Sequence, residues 1–220
     1  MKTKLRWLET ILLAAPFVVL AIYWNELPAR VPIHWNFRGQ IDGWTTKTPG
    51  IFIIPLTALG TTALLRVLPW FDPRLRRTLG DESVMPAVLP IIRLAVLLLL
   101  DTIFLVQIAT SLGRTIPSAR IIVSAVLLFL MILGNFLGNV RPNYFVGVRT
   151  PWTLENPETW RATHRLGGRL LFFGALILFV GQFLLSESIF SWLLVTSILL
   201  FAAWGIVYSW HHSRTHVATR

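Results

Sequence analysis

The sequence predicts an all-α integral membrane protein with six transmembrane helices. Of its 220 residues, 55% are hydrophobic and only 14% are charged, whereas about a quarter of the residues of an ordinary soluble domain are charged. A spanning helix needs roughly 20 mostly apolar residues. The sequence contains six stretches of about this length, at residues 5–24, 51–70, 88–112, 121–140, 170–185 and 189–210.

Each span is expected to be a helix, because an open strand would leave backbone groups unpaired in lipid. Tryptophans stand near many span ends, where an indole ring can stay in the apolar layer while its N–H reaches the headgroups. These are Trp7, Trp24, Trp70, Trp192 and Trp210.

The distribution of Lys and Arg predicts that both termini are cytoplasmic. With that orientation, 13 of the 20 Lys and Arg residues lie in cytoplasmic segments and five lie outside, while Arg66 and Arg93 lie within spans. Such an excess marks the cytoplasmic side. The predicted organisation is then an N-terminal two-span unit (1–70) with an outside loop (25–49), a third span with its flanking loops (71–120), and a C-terminal three-span unit (121–220) with a long basic inside loop (141–169).

The outside loop is expected to be ordered. Pro28 and Pro32 resist helix formation, and Val31, Ile33 and Trp35 alternate with other residues as in a short strand. Its candidate binding residues are polar or turn-forming: His34, Asn36, Gly39, Asp42 and Gly43. They either converge on a ligand or satisfy the backbone of tight turns, and the sequence favours the turns. One His and one Asp are too few ligands for a metal site, so no metal is expected.

The inside loop combines five arginines with aromatic residues. Asn156-Pro157-Glu158 is a typical helix start, and Gly167-Gly168 is expected to end that helix. The loop is either a connector lying among membrane lipids or a recognition surface for a partner or a phosphate-bearing ligand. The candidate binding residues are Asn143, Gly147, Arg149, Thr150, Pro151, Trp152, Trp160, His164 and Arg165.

Two side-chain arrangements in this loop are predicted. Trp160 and His164 are four residues apart and share one helix face. Arg149 precedes Thr150-Pro151, so a turn is expected to present its guanidinium to an anion.

Polar residues inside the spans are few and costly in hydrocarbon. Glu9 and Arg93 are expected to form an ion pair near the cytoplasmic edge. Asp101 is either a proton or cation site or a neutral carboxyl bonded to Asn135, Gln107 or Thr102. The sequence contains neither the common motifs of catalysis nor a continuous basic patch for nucleic acid, so no enzyme, no cofactor and no direct nucleic-acid partner are predicted.

Two segments carry a resemblance to a known family. The first runs from Leu27-Pro28 through Val31-Pro32-Ile33-His34-Trp35-Asn36 to Gly39 and Asp42-Gly43, and resembles an uncharacterised bacterial domain. The second comprises Gly134-Asn135, Asn143, Gly147 to Leu154, Trp160 and Thr163-His164-Arg165. It is similar to the C-terminal signature of the SdpI family of bacterial immunity proteins.

The resemblance implies a non-enzymatic, multi-pass plasma-membrane protein for immunity or signalling. A member of this family protects its host from a secreted, membrane-active peptide toxin, and the founding case also holds a transcriptional repressor at the membrane. The implied partners are therefore a toxin outside, a repressor inside and membrane lipids. A different class stays open, a small proton-coupled transporter or exporter that uses Asp101.

Overall fold

The computed structural model describes residues 2–36, 38–76 and 88–217. Its helices and strands, in chain order, are α1 (Lys2–Tyr23), β1 (Arg30–Trp35), β2 (Ile41–Thr46), α2 (Lys47–Phe71), α3 (Pro73–Arg76), α4 (Val88–Ser111), α5 (Ser118–Leu137), α6 (Pro151–Glu155), α7 (Pro157–Leu184) and α8 (Glu187–Val217). Arg77 and Arg220, two of the cations counted on the predicted cytoplasmic side, lie outside the described residues.

The six predicted spans are confirmed as helices. Within the described residues, six helices are long and apolar enough to cross a membrane: α1, α2, α4, α5, α7 and α8. The chain is mostly helical, and the short strand expected at Val31, Ile33 and Trp35 is confirmed as β1. It pairs with β2 in a small two-stranded antiparallel sheet, so the all-α class holds for the spans but not for this loop.

The chain divides into two compact units. The first contains Met1–Leu65 and Pro90–Phe129, and the second contains Arg66–Leu89 and Leu130–Arg220. Their limits fall within α2, α4 and α5, so these helices contribute residues to both units.

The β-hairpin (residues 30–46) packs on the apolar core of the first unit. Val31 and Ile51 are fully buried, together with Leu20, Phe104 and Ile108. Gly50 lies against this sheet so closely that a Cβ there would overlap the side chains of Thr45 and Val31. The start of α2 therefore fits under the hairpin because residue 50 has no side chain.

The prediction that Asp42 and Gly43 form a turn was wrong. Both residues lie within β2, and Gly43 pairs with His34 across an irregular stretch of the ladder. A Cβ on Gly43 would lie 2.8 Å from the Cβ of His34, so glycine serves a close strand approach here. The chain turns instead at residues 36–40, where Gly39 has a φ of 73°.

The predicted helix end at Gly167-Gly168 was also wrong, because α7 continues without a break to Leu184. The two helices α5 and α7 meet through glycines: a Cβ on Gly134 would lie 2.8 Å from the Gly168 carbonyl oxygen, and a Cβ on Gly168 would lie 2.6 Å from the Gly134 carbonyl oxygen. Small residues allow such backbone contact between helices in membranes. Packing, and not helix termination, explains this glycine pair.

The histidines near the C-terminus include His211 and His212. Both lie in α8, and His212 Nδ1 is 3.3 Å from the Thr159 hydroxyl on α7. His212 also packs at 5.9 Å from the ring of Tyr208, one turn earlier. Contacts within the unit thus extend the last helix beyond its apolar stretch.

We expect Gly168→Ala to destabilise the protein by about 1–3 kcal/mol, because the new methyl group must push α5 away from α7. The change should lower the midpoint of thermal unfolding in detergent. Gly174→Ala on the same helix is the matched control, since a Cβ there meets no atom within 4 Å. Equal midpoints for the two variants would contradict the close contact.

Candidate functional site

The hairpin brings two of its candidate residues together. His34 Nδ1 and Asp42 Oδ1 are 2.5 Å apart, and both side chains are largely exposed. The irregularities of the ladder on either side of His34 place this pair across the two strands. The pair therefore forms an exposed polar feature on the sheet.

Asn36 and Gly39 shape the turn, as the sequence favours. Asn36 Oδ1 accepts hydrogen bonds from the N–H groups of Arg38 (2.9 Å) and Gln40 (3.0 Å). Gly39 has a positive φ, and a Cβ there would lie 3.3 Å from the Cβ of Ala119 at the start of α5. Asn36 and Gly39 thus stabilise the hairpin tip.

Gln107 fastens the hairpin to α4. Its Nε2 donates to the carbonyl oxygens of Pro32 (2.9 Å) and Gly50 (3.2 Å), and the side chain is buried. This buried amide joins β1 and α2 to α4. Its removal would cost free energy, because the two carbonyl oxygens would be left without hydrogen-bond donors. The exposed hairpin is thus held from beneath on a rigid base.

In the second unit, Asn143 organises the loop that follows α5. Its Oδ1 accepts from the N–H groups of Phe145 (2.8 Å) and Val146 (2.6 Å). Its Nδ2 donates to the carbonyl oxygens of Arg141 (2.9 Å) and Val146 (3.0 Å). Because the residue is fully buried, Asn143 stabilises the loop and is not available to an external ligand.

His164 and Trp160 hold the same loop from α7. Their rings stack with centroids 3.9 Å apart, and both side chains are fully buried. His164 Nδ1 bonds to the Trp160 carbonyl (2.8 Å), and His164 Nε2 accepts from the Val148 N–H (3.0 Å). Since the carbonyl only accepts and the amide only donates, these contacts specify the neutral ring with its hydrogen on Nδ1.

Gly147 permits the hydrogen bond between the Val148 N–H and His164 Nε2. Its φ is 117°, and a Cβ there would overlap His164 Nε2. Trp160 closes the arrangement by donating from Nε1 to the Val140 carbonyl at 2.7 Å. The predicted shared face of Trp160 and His164 is therefore confirmed, but it faces the protein interior, so neither side chain lies at a membrane interface or on a recognition surface.

Thr150 and Thr153 start the short helix α6. Thr150 is its N-cap, Pro151 is its first residue, and the Thr150 and Thr153 side chains bond reciprocally to each other's backbone N–H. Thr153 also donates to the Val148 carbonyl (2.8 Å), and Thr150 Oγ1 lies 3.0 Å from Ser209 Oγ on α8. The two threonines join the loop to the last helix.

Asp72 and Arg74 complete the loop, and the sequence analysis missed both. Asp72 is fully buried; its Oδ1 accepts from the Arg74 N–H and its Oδ2 from the Tyr144 N–H, both at 2.8 Å. Arg74 donates to the Leu154 carbonyl (3.0 Å) and lies over the Tyr144 ring. The signal in the sequence was Asp72-Pro73, a helix-capping pair directly after an apolar span.

What the loop leaves exposed is mainly cationic. Arg149 is exposed and donates from Nη1 to the Tyr144 carbonyl at 2.6 Å. Arg161 and Arg165 are exposed on the face of α7 next to the one that carries the buried Trp160 and His164. Pro151 is exposed and Trp152 half-buried. Of the predicted binding residues of this loop, the arginines are the ones presented most openly to a partner.

The polar residues inside the helices include one ion pair and one carboxyl group without a hydrogen-bond partner in the described part of the chain. The ion pair of Glu9 and Arg93 is confirmed, with Arg93 Nε 2.9 Å from Glu9 Oε1 and Glu9 buried. Both oxygens of Asp101 are buried without a hydrogen-bond partner in the described part of the chain. The predicted bonds from Asn135, Gln107 or Thr102 to Asp101 are not formed: Thr102 bonds within its own helix, Gln107 bonds to the hairpin, and Asn135 is exposed.

These observations define the class of the protein, a multi-pass bacterial membrane protein. Its first unit carries a β-hairpin, and its second unit contains a loop held by buried polar side chains. Residues 139–209 match the SdpI/YfhL protein family, and residues 11–59 match a domain of unknown function, DUF1648. The C-terminal part of the chain is therefore similar to the SdpI/YfhL family.

The similarity to a curated relative extends along nearly the whole chain. The chain is 26% identical over 208 residues to the immunity protein SdpI of Bacillus subtilis (strain 168), covering 93% of this chain and 94% of the relative. No solved structure matches the chain. The family resemblance carried by the two sequence segments is thus confirmed. Within the described residues, no group of three or more His, Asp or Glu side chains could hold a metal ion.

We expect Asp72→Asn to loosen the loop. Each carboxylate oxygen of Asp72 accepts from a different N–H group, and the substitution replaces one of these oxygens by an NH2 group, which cannot accept. Loss of one such buried bond costs about 1–3 kcal/mol. Limited proteolysis in detergent should then cut residues 141–150 faster than in the unchanged protein. Glu155→Gln, at an exposed site, is the control and should leave the cleavage rate unchanged; equal rates for Asp72→Asn would contradict the role of Asp72.

Proposed function

We propose that this chain is a non-enzymatic immunity protein of the bacterial plasma membrane, which protects its host from a secreted, membrane-active peptide toxin. The observation that carries the proposal is the similarity to immunity protein SdpI along nearly the full length of both chains. Both segments that the sequence analysis singled out lie within this similarity. The proposal assigns toxin contact to the hairpin and cytoplasmic contact to the arginines of the inside loop.

The geometry supports this division of roles. The hairpin exposes His34, Asp42 and Trp44 on a sheet that Gln107 and the apolar core hold in place. A rigid, exposed polar and aromatic surface suits recognition of another molecule, because little side-chain or loop entropy is lost on binding. On the second unit, Arg149, Arg161 and Arg165 are available to lipid phosphates or to an acidic region of a cytoplasmic repressor.

The proposal is tested by survival. A toxin-sensitive bacterium that expresses the chain should tolerate more of the toxin to which the Bacillus subtilis relative confers immunity than cells with an empty vector. His34→Ala should reduce the protection while leaving the amount of protein in the membrane unchanged, since an exposed side chain adds little to insertion. Vector-level survival at confirmed membrane expression would contradict the proposal.

The proposed orientation places the hairpin outside and both termini in the cytoplasm, from the 13-to-5 distribution of cations. A cysteine-free chain is suited to labelling. Arg38→Cys and Glu155→Cys are good sites, because both side chains are exposed. Thr153 is unsuitable, since its buried hydroxyl holds α6 in place.

We expect a membrane-impermeant thiol reagent to label Arg38→Cys in intact cells and to label Glu155→Cys only after the cells are opened. The opposite pattern would reverse the orientation. Labelling of both variants in denaturant controls for their expression.

A second candidate function, proton-coupled transport, rests on Asp101. Its two buried, unpartnered oxygens are an unusual arrangement inside an apolar helix. If the chain transports, Asp101→Asn should abolish protection; if it binds the toxin, this variant should protect nearly as well as the unchanged chain. Thr102→Ala is the control, because the Thr102 hydroxyl bonds only to its own helix at Leu98.

A further inference from the structure

The outer edge of β2 carries backbone groups that point away from β1. The Lys47 N–H donates to the Ala29 carbonyl, which makes Ala29 and Lys47 a hydrogen-bonded pair, as are Val31 and Thr45 two residues further along. The pairs in between, Arg30 with Thr46 and Pro32 with Trp44, are not of this type. In an antiparallel ladder, hydrogen-bonded pairs alternate with pairs whose N–H and C=O groups point away from the partner strand. Trp44 and Thr46 are therefore the residues of β2 that direct backbone groups outward.

The opposite edge of the sheet is blocked at Pro32. Pro32 has no N–H to offer, and its carbonyl oxygen accepts from Gln107 Nε2 at 2.9 Å. No such partner is found in the described residues for the N–H and C=O of Trp44 or for the N–H of Thr46. The side chains at this edge are also accessible, since Trp44 is 46% exposed and Asp42 and Thr46 are exposed.

We propose that the edge formed by residues 44–46 binds an extended segment of the peptide toxin as a third strand of the sheet. The peptide carbonyls would accept from the N–H groups of Trp44 and Thr46, and a peptide N–H would donate to the Trp44 carbonyl. These positions are about 7 Å apart along the strand, which is the two-residue repeat of an extended chain. An apolar side chain of the peptide packs on Trp44.

This mode of binding follows from chemistry that any extended peptide offers. Main-chain hydrogen bonds provide affinity when a strand joins an open sheet edge, and neighbouring side chains provide selectivity. An open edge is also a risk of unwanted pairing. Arg30 and Arg38 outnumber Asp42 among the exposed charged residues of the hairpin, so two hairpins paired at this edge would carry net charge of the same sign. Charge thus favours a peptide that is not strongly basic over a second copy of this chain.

The inference rests on the proposed function, and the experiment separates the two. Thr46→Pro removes the outward N–H of residue 46 but no bond to β1, because proline is tolerated where the N–H of an edge strand faces solvent. Thr46→Ala keeps that N–H and is the matched control. Both variants and the unchanged chain are compared for toxin survival at equal membrane levels.

We expect cells with Thr46→Ala to survive the toxin like cells with the unchanged chain. Cells with Thr46→Pro should be killed by roughly 3- to 10-fold less toxin, which is the effect of losing one interstrand hydrogen bond. Full protection by Thr46→Pro overturns the strand-addition inference and leaves the immunity proposal intact. No protection by the unchanged chain overturns both.

Hydrogen exchange on the unchanged protein gives a measurement that needs no variant. In detergent, the amides of Trp44 and Thr46 should exchange fast and the Thr45 amide slowly, since only the latter bonds to β1. Adding the toxin should slow exchange at Trp44 and Thr46. Slow exchange of both amides without toxin, or no change when bound toxin is present, overturns the inference; a slow Thr45 amide in Thr46→Pro confirms that the hairpin of that variant is folded.

Discussion

The hydrogen bond from the Val148 N–H to His164 Nε2 is the contact on which the arrangement of the second unit depends. It requires a neutral imidazole, and the Trp160 carbonyl selects the correct hydrogen position on the ring. It also requires glycine at position 147, since any side chain there would occupy the place of the ring nitrogen. Trp160 then binds the Val140 carbonyl, so both ends of the loop are fixed to a single turn of α7.

The same constraint explains why so many polar residues of the loop are buried. Next to an apolar environment, an unpaired N–H or carbonyl costs free energy that no water recovers. Asn143, Thr150, Thr153 and Asp72 each accept from backbone N–H groups of the loop or of its neighbours. Many side chains of a segment that looks like a recognition motif in the sequence therefore satisfy its own backbone, and its arginines remain on the exterior.

Features with a local cause could be predicted from the sequence. The spans follow from composition, and the Asn156 cap with Pro157 follows from helix-start chemistry. The pair of Glu9 and Arg93 follows from the cost of unpaired charge in hydrocarbon. Features with a non-local cause were missed: Asp72 meets Tyr144 across 72 positions of the chain. Gly168 fits against α5, but its sequence neighbours suggest only a helix end, because helix continuity there comes from tertiary packing.

The last helix raises a separate question, since the apolar residues of α8 are spread around its whole circumference. Hydrophobicity can commit such a helix to the bilayer, but it gives no preferred rotation about the helix axis. The azimuth is instead set by a few contacts on one side: Ser209 with Thr150, Gly205 with Val148, and Trp204 with Gly167. Different residues therefore govern the insertion of α8 into the bilayer and its rotation about the helix axis. Away from the contact side, one apolar residue can replace another without changing how α8 docks.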